Sequence, residues 1–272
     1  KLSKSNLKGK KSALQKGIEA SRGDLIITID ADSNPAEKTW IKTFVSCYEQ
    51  KKSKLIIAPI SLRKDDGFLN GFESIDVLGL SLTTAGSAIS GNPIMCNGAN
   101  LSFDRQAFCE VGGYLGNENV SSGDDVFLLN KIHAKYPGLV HYLKSQDAIV
   151  LTDGNKNLNS FIAQRIRWAG KFSSNKNLFN SYLGVLVFFC NFLFLVFALL
   201  SCFFHELANF LIVLALLKWF IDFLLVFLSA LFLKQPHVLR WYAISIIVYP
   251  FYVCLIAGLS LLVKPKWKGR KI

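Results

Sequence analysis

Three stretches in the second half of the chain constrain it more than anything else. Residues 181–204, 207–233 and 241–263 are apolar runs. Each is longer than the roughly 20 residues needed to cross the hydrocarbon core of a bilayer. A buried helix of a soluble protein seldom runs so far without charges. From Ser181 onward the only acids are Glu206 and Asp222, and most bases lie at the ends of the runs, above all in LVKPKWKGRK. Apolar spans with basic flanks belong to membrane proteins. The 272-residue chain has a formal net charge of +12. Nucleic-acid binding, another meaning of such an excess, is disfavoured because no basic helix or aromatic-basic motif accompanies it. The expected organisation is one mixed domain over residues 1–176 and a transmembrane region over 177–272 with about three helices. Near the middle of the second run lie Lys218 and Asp222, spaced to pair on one helix face. Pairing would lessen a cost of roughly 2.5 to 3.5 kcal/mol for each charge at a helix centre. Three crossings from a cytosolic domain would put the basic tail outside, against the positive-inside rule. One re-entrant run among the three, for example the third, which contains Pro250, would resolve this.

The first part reads as α/β. Residues 10–21 have the spacing of a helix, with Ala13, Leu14, Gly17 and Ile18 on one face. Residues 25–29 form a short apolar run rich in β-branched side chains, suited to a parallel strand buried on both faces. Helical spacing over 36–50 follows, then a second strand over 55–60, which together predict a right-handed βαβ unit. Beyond these come helices over 68–85, 124–136 and 158–172, a loop over 86–100, and short strands over 99–103, 139–143 and 148–151. The six cysteines show no C-x-x-C spacing and the four histidines no metal-ligand spacing, so buried thiols are expected and a zinc site is not.

Three motifs have chemical meaning. In GDLIITIDADSNP, the first strand runs into Asp30 and Asp32. Residues two apart in an extended chain point to the same side, past the strand end where open α/β sheets bind ligands. Two carboxylates beside phosphate oxygens suit Mg²⁺ or Mn²⁺. The competing reading is that Asp32 and Ser33 cap the next helix. In SSGDDVFLL, Asp124 and Asp125 open a helix. They either complement its macrodipole or supply a general base. In SFIAQRIRWAGK, Gln164, Arg167 and Trp168 share a helix face and combine hydrogen bonding, anion pairing and stacking. An interfacial helix lying on the membrane is the plainer alternative. Arg165 is expected to point away from that face, toward lipid headgroups.

Taken in order, KGKKSAL, the D-A-D of Asp30 and Asp32, NGANLSFDRQAF followed by VGGY, the GDD of Asp124 and Asp125, and QRIRW resemble the membrane-bound family 2 glycosyltransferases. The resemblance covers residues 1 to about 172, and membrane helices follow as they do in that family. It implies a GT-A-like domain that binds a nucleotide-diphosphate sugar, and an inverting transfer to a lipid-linked or glycan acceptor. Lys10, Asp30 and Asp32 would bind the donor, with Mg²⁺ or Mn²⁺ on Asp30 and Asp32. Asp125 would be the catalytic base. Asp124, Gln164, Arg167 and Trp168 would bind the acceptor or the diphosphate. Membrane lipids are expected partners, nucleic acid is not, and the expected place is the plasma (inner) membrane with the catalytic domain cytoplasmic. The chain departs from the pattern in two ways. The family's first strands normally precede KGKKSAL, which implies an N-terminally truncated fragment. The usual Thr-Glu-Asp of the base motif is here Gly123-Asp124-Asp125. The alternatives are a subunit of a processive polysaccharide synthase and a non-catalytic membrane protein with a degenerate transferase domain.

Overall fold

The computed structural model describes residues 10–116, 123–174, 178–263, 266–267 and 270–271. The chain divides into two units. One comprises Lys1–Arg63 and Leu80–Asp153, the other Lys64–Gly79 and Gly154–Ile272.

The first unit is α/β. Its elements are α1 (Lys10–Ala20), β1 (Leu25–Thr28), β2 (Asn34–Pro35), α2 (Trp40–Lys51), β3 (Leu55–Ile57), β4 (Ile60–Leu62), the later turns of α3 (Phe68–Ile89), β5 (Leu101–Asp104), α4 (Arg105–Glu110), α5 (Asp124–Lys135), β6 (Val140–Tyr142) and β7 (Val150–Thr152). They make a four-stranded sheet in the order β1-β5-β3-β6 and a three-stranded sheet in the order β2-β7-β4. Leu55, Ile56 and Ile57 of β3 are fully buried between the two hydrophobic clusters. Burying each such side chain contributes about 1.5–3 kcal/mol.

Two strand expectations are corrected. The run ending in D-A-D is not a parallel strand buried on both faces. β1 lies at the edge of the four-stranded sheet among the described residues, paired antiparallel with β5. The fully buried β5 lies between β1 and β3 and is antiparallel to both, so β1 and β3 are not neighbours. The parallel pairs are β3 with β6 and β4 with β7. The single strand expected over 55–60 is two, one in each sheet. Ala58 and Pro59 separate β3 from β4, and Pro59 has no N–H to give a ladder.

Asn100 holds this break. Its side chain is fully buried. Its amide nitrogen donates to the carbonyls of Pro59 and Ala148, each at 2.7 Å, and its oxygen accepts from Trp40 Nε1 at 3.1 Å. One side chain thus ties the β3–β4 link, the approach to β7 and the start of α2.

The second unit contains the first turns of α3, then α6 (Leu158–Ser174), α7 (Leu178–Ser201), α8 (His205–Phe232) and α9 (Tyr242–Leu262), with a 3-10 helix, Pro236–Trp241, before α9. Among the described residues, three helical segments are long and apolar enough to cross a membrane: Ser181–Ser201, His205–Phe232 and Pro236–Leu262. Most of their apolar side chains are exposed in the isolated chain, as lipid-facing helices require. The third run does not turn back, because α9 is one continuous helix with Pro250 inside it. Lys218 and Asp222 form the expected ion pair. Gly71 of α3 lies under Trp241, where a Cβ would come within 2.0 Å of the indole. The thiols are only partly as expected: Cys47 and Cys96 are buried, Cys109, Cys190 and Cys202 are exposed and Cys254 is intermediate.

Asn100→Ala is expected to leave the buried Ala148 carbonyl and the Trp40 indole N–H without their partner, and to leave the Pro59 carbonyl with the Val150 N–H alone. Each orphaned group costs about 1–3 kcal/mol. Thermal unfolding of the detergent-solubilised protein should show a fall in Tm of several degrees, and an unchanged Tm would show that the staple is redundant.

Candidate active site

The D-A-D residues sit on a turn. The N–H of Ser33 donates to the carbonyl of Asp30 at 3.0 Å, so Asp30 and Asp32 occupy a tight hydrogen-bonded turn rather than the extended chain expected. Asp30 is half-buried and Asp32 exposed. The capping alternative fails on geometry: α2 begins only at Trp40, with Thr39 in the cap position. The Asp32 carboxylate instead accepts from its neighbour Ser33 Oγ at 3.3 Å. Arg63, at the end of β4, clamps the turn. Its guanidinium donates to the Asp32 carbonyl at 3.2 Å and pairs with Asp153. The Asn34 amide nitrogen donates to the Ser33 carbonyl at 3.0 Å, and its oxygen accepts from Arg63 Nη2 at 2.9 Å. The sequence gives Arg63 no distinguishing context, since a basic residue after an apolar strand is common.

Asp124 and Asp125 fall in the first turn of α5, which Gly123 enters at φ +86°. That position suits the helix dipole. Asp125 does more than complement it. Its Oδ2 accepts the backbone N–H of Gly98 at 3.1 Å, and its Oδ1 accepts that of Val126 at 2.9 Å. On the opposite side of the same residue, Thr28 Oγ1, at the end of β1, donates toward the carbonyl of Gly98 at 3.4 Å and more closely to that of Leu101 at 3.1 Å. The NGAN loop therefore touches both the strand that leads into D-A-D and the helix that begins with GDD. Tyr114 of VGGY is buried nearby. Burial first, then the charges of Asp124 and Asp125, raise its hydroxyl above the ordinary tyrosine range, so it stays protonated. Gly113 takes φ +52°, and a Cβ there would meet the Phe108 ring at 2.7 Å, so the second glycine of VGGY serves the packing of that tyrosine's turn.

The QRIRW residues lie on α6 in the second unit. Arg165 does not face lipid headgroups. It is 4% exposed, and its Nε donates to Asp76 of α3 at 2.8 Å. It also stacks on Trp168, 4.3 Å from the ring centroid, and donates to Gln164 Oε1 at 2.7 Å. Residues 161, 165 and 168 are successive neighbours on a helix surface, and the guanidinium is long enough to fold along that row. Arg167 is half-buried and makes no ion pair among the described residues. Burial, then the neighbouring Arg165 charge, lower its pKa from the ordinary arginine value. Lys10 opens α1, but its side chain lies outside the described residues.

Asp30 and Asp32 offer hard oxygen donors. Among the described residues, no group of three or more His, Cys, Asp and Glu side chains gathers that could hold a metal. A two-carboxylate turn suits Mg²⁺ or Mn²⁺, which keep waters and take the rest of their ligands from phosphate.

The glycosyl transferase family 21 profile matches residues 3–262. The chain belongs to this glycosyltransferase family. The motif resemblance was to family 2, and the match names family 21; both are sugar transferases, and the motifs fall inside the matched region. No curated protein matches the chain. Membership supports a sugar donor and an acceptor and makes the α/β unit with its apolar C-terminal helices a transferase.

Arg63→Ala should release the D-A-D turn of this glycosyltransferase without disturbing α2. Hydrogen exchange of the Ser33 amide should accelerate by about 10-fold or more, since its protection comes from the turn hydrogen bond and from the burial that the closed turn maintains. Unchanged exchange in a peptide spanning residues 28–36 would show that the clamp does not order the turn.

Proposed function

We propose that this transferase moves a sugar, with inversion, from a nucleotide-diphosphate sugar to an acceptor hydroxyl on a lipid-linked or glycan molecule at a membrane. The observation that carries the reading is Asp125. Its carboxylate is fixed by the Gly98 N–H, in the loop that also touches the strand leading into D-A-D. A general base must be held in place before it can act, and both of its oxygens already have backbone donors. Asp124 would support it and bind acceptor or diphosphate.

In this reading Asp125 takes the proton of the acceptor hydroxyl as that oxygen attacks the anomeric carbon. The new C–O bond forms as the bond to the diphosphate breaks, and the nucleoside diphosphate leaves with the electron pair. Asp32, with Asp30 beside it, would hold Mg²⁺ or Mn²⁺. When bound, the cation neutralises the diphosphate. Lys10 would add a donor-side positive charge. Gln164, Arg167 and Trp168 would bind the acceptor sugar or the diphosphate, with Arg167 supplying a guanidinium for an anion. The GT-A-like architecture, the plasma (inner) membrane and a reaction on its cytoplasmic face belong to the same proposal.

A screen of nucleotide sugars in detergent with Mg²⁺ and Mn²⁺, reading released nucleoside diphosphate, tests the activity. Asp125→Asn should lower transfer by about 10²- to 10⁴-fold while nucleoside diphosphate still binds. Turnover within a few-fold of wild type would remove Asp125 as the base.

Two adjacent carboxylates repel an anionic donor unless a cation joins them. Nucleoside diphosphate binding, followed by titration calorimetry, should therefore weaken at least about 10-fold in EDTA. In Asp32→Ala it should become weak and insensitive to EDTA. Equal binding with and without EDTA in the wild type would mean that the turn holds no metal.

A further inference from the structure

Glu73 and Asp76 have no place in the mechanism above, yet they are among the most deeply buried charges of the second unit, at 2% and 6% exposure. They are three residues apart on α3 and so share a face. Buried acids normally need a partner, and theirs is Arg165. Besides the Nε bond to Asp76, Arg165 Nη2 lies 3.7 Å from Glu73 Oε1. Glu73 also accepts the backbone N–H of Asn155 at 2.7 Å and its side-chain nitrogen at 2.6 Å. That same nitrogen donates to Gln164 Oε1 at 2.9 Å. Tyr252 Oη of α9 reaches Asp76 at 3.4 Å.

The network decides what Gln164 can offer. An arginine can only donate, so the Gln164 atom facing Arg165 Nη1 must be the oxygen. Both described contacts of that oxygen are donors, from Arg165 and Asn155. The amide nitrogen is then the end left for a ligand. The arrangement also sets the Trp168 ring, which has the Arg165 guanidinium stacked against it. Phe161 holds the same guanidinium from one turn earlier, at 4.7 Å.

We propose that Glu73 and Asp76 are positioning residues for QRIRW: they lock Arg165, which in turn fixes Gln164 as a hydrogen-bond donor and Trp168 as a stacking platform for the ligand. This rests on the transferase reading only for the identity of that ligand. The ligand group facing Gln164 is then an acceptor oxygen, from a sugar hydroxyl or a phosphate, and not an N–H or a cation. The acids act through Arg165 and do not touch the substrate.

Isosteric changes test it, because they keep the volume of the cluster. The full-length protein is labelled with 5-fluorotryptophan and studied by ¹⁹F NMR in detergent, with the Trp168 signal assigned by Trp168→Phe. Asp76→Asn and Glu73→Gln should each shift or broaden the Trp168 resonance while those of Trp40 and Trp219 hold. A Trp168 signal that does not move, or three signals that move together, overturns the inference. Kinetics give the second arm. Asp76→Asn should lower turnover by up to about 10²-fold, the cost of misplacing a substrate contact by an ångström or so, with a much smaller change in donor KM. Combined with Gln164→Ala, it should cost no more than about 3-fold beyond the worse single variant, since both act through one contact. Multiplying losses would make Asp76 an independent structural residue and overturn the proposal. A wild-type protein silent in every transfer assay would count against the proposed function, and the fluorine result would still decide this inference.

Discussion

The first unit depends on one amide. Asn100 divides its two donors between Pro59 and Ala148 and gives its oxygen to Trp40. Its net contribution as hydrogen bonds is modest, about 1 kcal/mol each. Its importance lies in what it forbids. Pro59 lies where the chain leaves the four-stranded sheet for the three-stranded one, and Ala148 lies just before β7 joins it. The Pro59 carbonyl also accepts the Val150 N–H at 3.2 Å, but without Asn100 the Ala148 carbonyl would need water or a different path. The residues just before Asn100 in sequence then have a fixed origin. Gly98, two residues earlier, meets Asp125 from α5 and Thr28 from β1. The candidate base and the D-A-D strand are thus referred to a single buried side chain.

The same economy explains why the acids lie where they do. Asp30 and Asp32 are at the end of an edge strand, on a turn that Arg63 holds through the Asp32 backbone carbonyl. The clamp pairs with Asp153, and among the described residues the Asp32 side chain has a weak contact from Ser33. Asp104, by contrast, is a structural acid. It accepts from Tyr48 at 2.6 Å and from the Ala107 N–H at 2.7 Å, and it pairs with Lys54. Burial opposes its ionisation, but these contacts outweigh it and hold its carboxyl below the ordinary range. A carboxylate saturated in this way has little left for a ligand, and an exposed one on a clamped turn has most of its capacity.

What could be read from the chain before its structure follows the same division. The helices were legible because each has a periodic apolar stripe and defined ends, and α1, α5 and α6 fall within two residues of expectation at most ends. The apolar C-terminal helices were legible from length alone. Strand order was not. Residues 101–104 look like any short strand, and nothing local says that β5 inserts between β1 and β3 in the opposite direction. The break at Pro59 was visible as a proline, but not its consequence, because Asn100 that makes use of it is 41 residues away. The motif residues of the site could be named from their order. The residues that orient them, Arg63, Glu73, Asp76 and Asn155, could not, since their partners are distant in sequence.

Arg165 shows why an amphipathic reading of α6 goes wrong at that residue. Helical spacing puts residue 165 about 100° from 164 and so starts its side chain off the face of Gln164, Arg167 and Trp168. Spacing describes where a side chain starts, not where a six-atom arm ends. Buried acids on α3 provide a reason for the arm to bend inward, and Phe161 and Trp168 provide flat surfaces along the way. Lysine could satisfy one carboxylate at that position, but it has no planar fork to bond Asp76 and Gln164 at once while stacking on an indole. The first arginine of QRIRW is therefore committed to the protein, whereas the second makes no ion pair among the described residues.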